Sequence, residues 1–254
     1  MVEIPTLREL LNAGAHFGHT RGRRHPKAKP FIFTTKNNIS IINLELTQSF
    51  LKKALEYVKK LGSEGKTILF VGTKRQTKSL LTERCQKAGV PYVAERWIGG
   101  LLTNFEVIRK SVEMYLELEK QREAPEFQNM NKVMQAKMER KLLRLRSNFG
   151  GIKELKNLPD ALFILDLASE KTAVEEARKV GIPIIALVDT NADPTLADYP
   201  IPSNDDAAKA LELMLNLVLK AYEEGKLLAQ KAVEVKDTNN KESLAKKESK
   251  NGQN

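Results

Sequence analysis

Thr67-Ile68-Leu69-Phe70-Val71-Gly72 is an unbroken apolar run closed by a glycine, and a helical stretch from Gln76 to Ala88 follows it. Gly89-Val90 then leads into a second short strand, Pro91-Tyr92-Val93-Ala94. Strand, helix and strand in so short a span predict two parallel strands joined by a helical crossover. The pattern returns after residue 158. Ala161-Leu162-Phe163-Ile164-Leu165 reads as a strand, Glu170 to Val180 as a helix, and Ile182-Pro183-Ile184-Ile185-Ala186-Leu187-Val188 as a strand. Asn204, with Asp205 and Asp206, opens a long helix through Leu211, Leu215, Val218 and Leu219. The Asn side chain caps free amides, and the two acids complement the positive end of the helix dipole. Apolar strands alternating with helices predict a three-layer α/β fold on a mostly parallel sheet, Rossmann-like or flavodoxin-like, with helices on both faces.

Working outward, the segment between the two blocks has a different period. Phe105, Ile108, Val112 and Tyr115 recur at helical spacing, as do Met134, Met138, Leu142 and Leu145, and Ala124-Pro125-Glu126-Phe127-Gln128-Asn129 breaks the helix between them. Two narrow apolar stripes with charged flanks predict an antiparallel helical coiled-coil hairpin inserted into the domain. Near the start, Thr6-Leu7-Arg8-Glu9 is a capping box for a helix to Ala13. Gly14 to Pro30 has no helical or strand period. Phe31-Ile32-Phe33-Thr34 and Ile39-Ser40-Ile41-Ile42 read as a strand pair joined by a turn, and Thr47 as the cap of a helix ending near Gly62. The stretch Val235 to Asn254 is Lys/Glu/Asn/Ser-rich with one Leu, too polar to order itself. The expected organisation is one α/β domain from 1–103 and 149–228, an inserted hairpin at 104–148, and a flexible charged tail at 229–254.

The chain has 254 residues and a formal net charge of +10, with 41% hydrophobic residues, enough to bury a core. No apolar run approaches the roughly 18 residues of a membrane span. The start has neither signal-peptide nor transit character, so a cytoplasmic location is expected, bacterial or, after processing, organellar. The single Cys85 excludes an internal disulfide and any multi-Cys zinc site, and reads as a small buried residue. The charge is lopsided. Residues 1–150 hold +14 and the remainder −4, which predicts one positive face and one acidic face turned to solvent or to a basic neighbour.

Enzymatic chemistry finds little support. Gly72-Thr73-Lys74-Arg75 stands where a nucleotide loop stands in such sheets, but it has one glycine where a phosphate loop needs two. Lys74, Arg75 and Lys78 read instead as cations at a helix N-terminus, whose amides suit a phosphate. His16, His19 and His25 sit among arginines with no acid or Cys nearby, which argues against a metal, and no cofactor is expected. Asp166, Asp189, Asp193 and Asp198 lie at or beyond strand ends without a nucleophile or base motif, and read as turn and cap residues. Trp97 reads as core, flanked by the cation Arg96. The alternative that stays open is a nucleotide- or metal-dependent enzyme on the same scaffold.

The strongest local signal is His16 to Lys36, which holds Arg21, Arg23, Arg24, Lys27, Lys29 and Lys36 and no acid. Six cations without an acid repel one another unless something neutralises them. Glycines and prolines keep the segment in loop form, and Phe17 and three histidines interleave it. That composition suits irregular RNA, which is met through backbone, shape and stacking. Lys137, Arg140, Lys141, Arg144 and Arg146 make the second hairpin helix cationic, a second and separate contact.

Several strings taken together resemble one family. Gly14-Ala15-His16-Phe17-Gly18-His19 precedes Pro26-Lys27-Ala28-Lys29-Pro30-Phe31-Ile32-Phe33, and Gly72-Thr73-Lys74-Arg75-Gln76 and Arg96-Trp97-Ile98-Gly99-Gly100-Leu101-Leu102-Thr103-Asn104 follow. Leu158-Pro159-Asp160, Asp189-Thr190-Asn191-Ala192-Asp193-Pro194 and Tyr199-Pro200-Ile201-Pro202-Ser203-Asn204-Asp205-Asp206-Ala207 complete the order. The sequence resembles the ribosomal protein S-two family of the small subunit, bacterial or organellar type, over residues 3–228. It departs in Ala192, where Cys or Ser is common, and in Leu196-Ala197-Asp198. The resemblance implies a three-layer α/β domain with a protruding coiled-coil hairpin. It implies docking on small-subunit rRNA between head and body beside other ribosomal proteins, help in recruiting the large mRNA-binding protein S-one, and no enzymatic activity.

Overall fold

The computed structural model describes residues 2–251, and the side chains of these except 126, 128 and 232–251. The elements in chain order are α1 (Leu7–Ala13), β1 (Phe17–Thr20), β2 (Ile32–Lys36), β3 (Ile39–Ile42), α2 (Leu44–Ser63), β4 (Ile68–Val71), α3 (Arg75–Ala88) and β5 (Tyr92–Val93). Then come α4 (Phe105–Glu123), α5 (Pro125–Gln128), α6 (Lys132–Phe149), β6 (Ala161–Ile164), α7 (Lys171–Val180), β7 (Ile184–Val188), β8 (Tyr199–Pro202) and α8 (Ala208–Asn251). The expected flexible tail at 229–254 lies, for its side chains past 231 and wholly past 251, outside the described residues.

The main sheet has the order β5-β4-β6-β7-β8, with every neighbouring pair parallel. Register puts Tyr92, Phe70, Phe163, Ile185 and Tyr199 in one row across it. Successive side chains of a strand point to opposite faces, so these apolar strands feed two cores. Ile68, Phe70, Phe163, Ile185 and Ile201 meet α2, α3 and α8 on one face, and the Phe70 and Phe163 rings meet edge to face, 5.5 Å between centroids. Leu69, Val71, Leu162, Ile164, Ile184 and Val188 meet α7, the Trp97–Leu102 loop, and Ile108, Val112, Tyr115, Leu142 and Phe149 of α4 and α6 on the other. This is the three-layer α/β arrangement. The α2–α8 crossing is close enough that a Cβ on Gly225 would stand 2.2 Å from the Lys59 carbonyl oxygen, which only glycine avoids.

α4 and α6 pack on each other, and the apolar stripe is buried only where it reaches the sheet. Met134 is exposed and Met138 and Leu145 are half-buried. Towards the break the α4 sequence turns charged, with Glu119, Lys120, Arg122 and Glu123, and offers little apolar cover.

Three local readings change. Gly14 to Pro30 contains β1 and two 3-10 turns, Arg21–Arg23 and Pro26–Phe31, rather than unpatterned loop. Phe17-Gly18-His19-Thr20 has no strand alternation of its own and is made a strand by antiparallel pairing with β3, with an irregular register. The helix expected from Thr47 begins at Leu44, because the Asn43 side chain accepts the Glu45 and Leu46 amides while the Thr47 hydroxyl donates to the Pro202 carbonyl. Tyr199-Pro200-Ile201-Pro202 is a strand despite two prolines, which an edge strand tolerates because its outer side needs no donors.

β2 and β3 form the expected hairpin, with Asn37 and Asn38 at φ 49° and 64°, the two-residue turn whose twist suits a strand pair. The resulting sheet, ordered β1-β3-β2, is stitched to the C-terminal ends of the main strands. The His25 amide donates to the Thr190 carbonyl at 2.7 Å, the His19 amide to Thr190 Oγ1 at 2.8 Å, and the Asn204 side-chain amide to the Gly14 carbonyl at 3.0 Å. Contacts this far apart in sequence hold the cationic segment on a rigid base.

Candidate nucleic-acid interface

The cationic segment divides into cations spent on the protein and cations left outward. Arg24 is half-buried and donates to Thr35 Oγ1 at 2.8 Å and to Ser40 Oγ at 3.0 Å, pinning the β2–β3 hairpin. Lys27 reaches Asp193 Oδ2 at 2.7 Å and Thr195 Oγ1 at 3.0 Å. Burial works against the Asp193 anion, but Lys27 and Thr195 outweigh it and pull the carboxyl down to about 2. Arg21, Arg23, Lys29 and Lys36 are exposed, and among the described residues none of them has a carboxylate partner. The Arg21 amide donates to the Asn38 carbonyl at 2.9 Å, which sets the hairpin tip beside the Arg21–Arg23 turn. Phe33 on β2 is 73% exposed and Phe17 on β1 is 48% exposed. Exposed rings among unpaired cations are what stacking and phosphate contact require.

A second group of cations, after β4, is mostly turned inward. In an open α/β sheet the ligand crevice opens where neighbouring strands run off in opposite directions. Here that point lies between β4 and β6, and the protein fills it with its own groups. The Lys74 ammonium sits 2.9 Å from Asp166, 3.1 Å from Asp205 and 2.8 Å from Asp206. Burial alone would lower its pKa, but these carboxylates raise it well above the lysine range. The Thr73 amide, which a phosphate would use, donates to Glu170 at 2.7 Å. Asp205 is fully buried. Burial first, then Asp166 and Asp189, push its carboxyl up to about 7. Lys74 therefore anchors three acids rather than facing solvent. Lys78 pairs with Glu95, while Arg75 and Arg96 are exposed without a described carboxylate partner. The same is true of Lys137, Arg140, Lys141, Arg144 and Arg146 on α6.

Of the acids behind the negative charge of residues 151–254, Asp166, Glu170, Glu176, Asp189 and Asp205 are buried and take no part in an outward acidic face. Glu176 was not singled out by its sequence. Its carboxylate accepts from Trp97 Nε1 at 3.1 Å and from the Gly100, Leu102 and Thr103 amides at 2.8, 3.0 and 3.2 Å. One side chain thereby holds the whole turn that carries Arg96 and leads into α4. Its signal was available, since Glu176 falls on the buried stripe of α7 with Ala173, Val174 and Ala177. Cys85 is buried and its thiol is pushed up to about 12 by burial, far from a nucleophile. Trp97 is core, as its sequence suggested. The three histidines have three separate settings. His16 lies against the Phe17 ring, His25 accepts the Lys27 amide, and His19 lies among acids that its sequence neighbourhood lacks.

The family model described as ribosomal protein S2 matches residues 10–225. The protein named small ribosomal subunit protein uS2 from Coprothermobacter proteolyticus is 45% identical over 88% of this chain and 83% of its own length. Its namesake from Chloroflexus aurantiacus is 45% identical over 87% of this chain and 93% of its own. That from Koribacter versatilis is 44% identical over 92% of this chain and 77% of its own. A family match along almost the whole α/β core, with relatives aligned over most of their length, places this chain in the ribosomal protein S2 family.

Proposed function

We propose that this protein is a structural constituent of the small ribosomal subunit that docks on ribosomal RNA through its N-terminal cationic segment. The S2 family is structural, so the chain is not an enzyme. The observation that carries the docking reading is the outward set Arg21, Arg23, Lys29 and Lys36, unpaired with any described acid and mounted on a sheet fixed to the domain. A rigid base means little ordering entropy is lost when phosphates arrive. Arg75 and Arg96 extend the positive surface. The α4–α6 pair, read as an inserted coiled-coil hairpin with a cationic second helix, supplies the separate contact that fixes orientation. The reading extends to docking between the head and body of the subunit, next to other small-subunit proteins, to a part in recruiting the mRNA-binding protein S-one and to a ribosome-bound, cytoplasmic location, all of which the resemblance implies. No helix among the described residues is long and apolar enough to cross a membrane.

The test is affinity for small-subunit rRNA against salt. Four outward cations predict a log–log slope that changes by roughly 0.7 to 0.9 for each phosphate contact removed. An affinity indifferent to salt would overturn the reading.

A further inference from the structure

We propose that the cleft beside β5 is a docking groove for an apolar peptide segment of a neighbouring small-subunit protein, anchored by a carboxylate of that segment on Lys226. The inference rests on the chain's place in the small subunit and adds a protein-binding surface to the RNA-binding one. The cleft has a volume of about 1220 Å³ and runs between the end of α3, α8, the base of the α4–α6 pair and the segment 150–160. One end of it reaches Thr67 and Asp160, just before β4 and β6, whereas the cationic sheet is stitched to the opposite ends of the strands. Small-molecule sites span roughly 300–1,000 Å³, so this space suits several residues of peptide.

Lys226 is half-buried, with its ammonium 4.5 Å from the centre of the Tyr222 ring. Among the described residues it has no carboxylate partner. Burial lowers its pKa, and Glu223 beside it on α8 offsets only part of that. The ring supplies cation–π support of about 0.5–2 kcal/mol, but no anion. A half-buried cation without an anion is held at a cost, and an incoming carboxylate removes it. Arg146, Lys153 and Lys156 also line the cleft, and they too lack a described carboxylate partner. The acids that line it are mostly engaged. Glu95 pairs with Lys78, Glu119 accepts the Tyr115 hydroxyl at 2.9 Å, and Asp160 accepts the Thr67 amide at 2.8 Å, while Glu154 has no described partner. The charged groups left over are mainly donors, so the partner brings acceptors.

The mixture of signs favours a peptide over RNA. Glu119, Glu154 and Asp160 lie among the cations, which repels a polyanion and admits a chain whose carboxylates come singly. Leu143 on α6 is 65% exposed and Leu158 is 40% exposed, and both line the cleft, offering apolar contact that phosphodiesters do not use. The Tyr222 hydroxyl is spent on the Lys66 carbonyl at 2.6 Å and the Tyr92 hydroxyl accepts from Gln86 at 2.8 Å, so these rings are set by the protein before a partner arrives. The sheet edge itself is closed. β5 is the edge strand, and a Cβ on Gly151 would stand 2.2 Å from the Tyr92 carbonyl oxygen, so the turn at Gly150–Ile152 lies against it. The partner therefore docks through side chains and not by adding a strand.

The experiment treats native small subunits with a water-soluble carbodiimide, which joins an amine to a carboxylate in direct contact, and reads this chain's peptides by mass spectrometry. The expected result is a link from Lys226, or from Lys153 or Lys156, to an Asp or Glu of another polypeptide. Acylation of Lys226 by N-hydroxysuccinimidyl acetate should be roughly fivefold or more slower in the subunit than in the free chain, because the partner covers it. Leu143→Asp alters an exposed residue, and its fold is checked by far-UV circular dichroism. In subunits carrying that variant the protection of Lys226 should fall to within about twofold of the free chain. Equal reactivity of Lys226 in the subunit and in the free chain, links to this chain's own acids alone, ultraviolet cross-links from the cleft to nucleotides, or unchanged protection in a folded Leu143→Asp would each overturn the proposal. A chain absent from small subunits altogether would refute the proposed function instead, and co-sedimentation shows that beforehand.

Discussion

Replacing Glu176 with alanine removes one carboxylate and strands the donors gathered around it. Trp97 Nε1 and the Leu102 amide are in buried settings, while the Gly100 and Thr103 amides are half-buried and can turn to water. An orphaned buried donor costs about 1–3 kcal/mol, so two of them predict a loss of roughly 2–6 kcal/mol from a typical total of about 5–15. Trp97 is the single tryptophan, so its fluorescence in a urea titration reports both the local turn and global unfolding. The same side chain gives a pH signature. Burial opposes its charged form, but the four residues donating to it win and hold its pKa below the ordinary value near 4.5. A depressed folded-state pKa contributes stability at pH values above about 4.5, and that contribution is lost as the pH falls through the lower folded value. Glu176→Gln keeps the shape but not the charge, so its deficit relative to wild type should shrink as the pH drops below about 4.5. A Glu176→Ala protein with an unchanged urea midpoint and unshifted emission would refute the claim that this carboxylate holds the turn.

Gly225→Ala places a methyl group against the Lys59 carbonyl, and forcing α2 and α8 apart should cost about 1–3 kcal/mol in urea unfolding. Lys74→Met leaves buried Asp166 and Asp205 without their counterion, and thermal unfolding at neutral pH should show a loss of about 3–5 kcal/mol. Arg21, Arg23 and Lys36 changed together to Glu should leave the melting temperature near that of wild type, because they are exposed and unpaired with described acids, yet abolish co-sedimentation with small subunits. Asp193→Asn breaks an exposed pair with Lys27 and should cost less than about 1 kcal/mol at pH 7, with the difference vanishing as the pH falls towards about 2.

The parallel sheet was legible because Ile68–Val71, Ala161–Ile164 and Ile184–Val188 are apolar at every position, as two-faced burial demands. β1 and β8 were not. One is made by its partner strand and the other is disguised by prolines that only its edge position permits. The cationic segment was legible as composition, but its division was not. Arg24, Lys27 and Lys74 look like their neighbours in sequence, and their partners Ser40, Asp193 and Asp205 lie 16, 166 and 131 residues away. His19 is the sharpest case. Its neighbours in sequence include no acid, and the fold brings Asp189 and Asp206 to it from loops at the ends of β7 and β8. The stripe on α6 ran further in the sequence than its burial does, because periodicity records which face is apolar and not where a partner is present to cover it.

Ultraviolet cross-linking of native small subunits, followed by mass spectrometry of this chain, tests the docking surface most directly. The account predicts nucleotide-bearing peptides drawn from residues 16–36, with Arg21, Arg23, Phe33 and Lys36 at or beside the linked positions. If cross-links were confined to the acid-rich stretch 151–228, or joined the chain to proteins alone, the cationic segment would not be its seat on RNA.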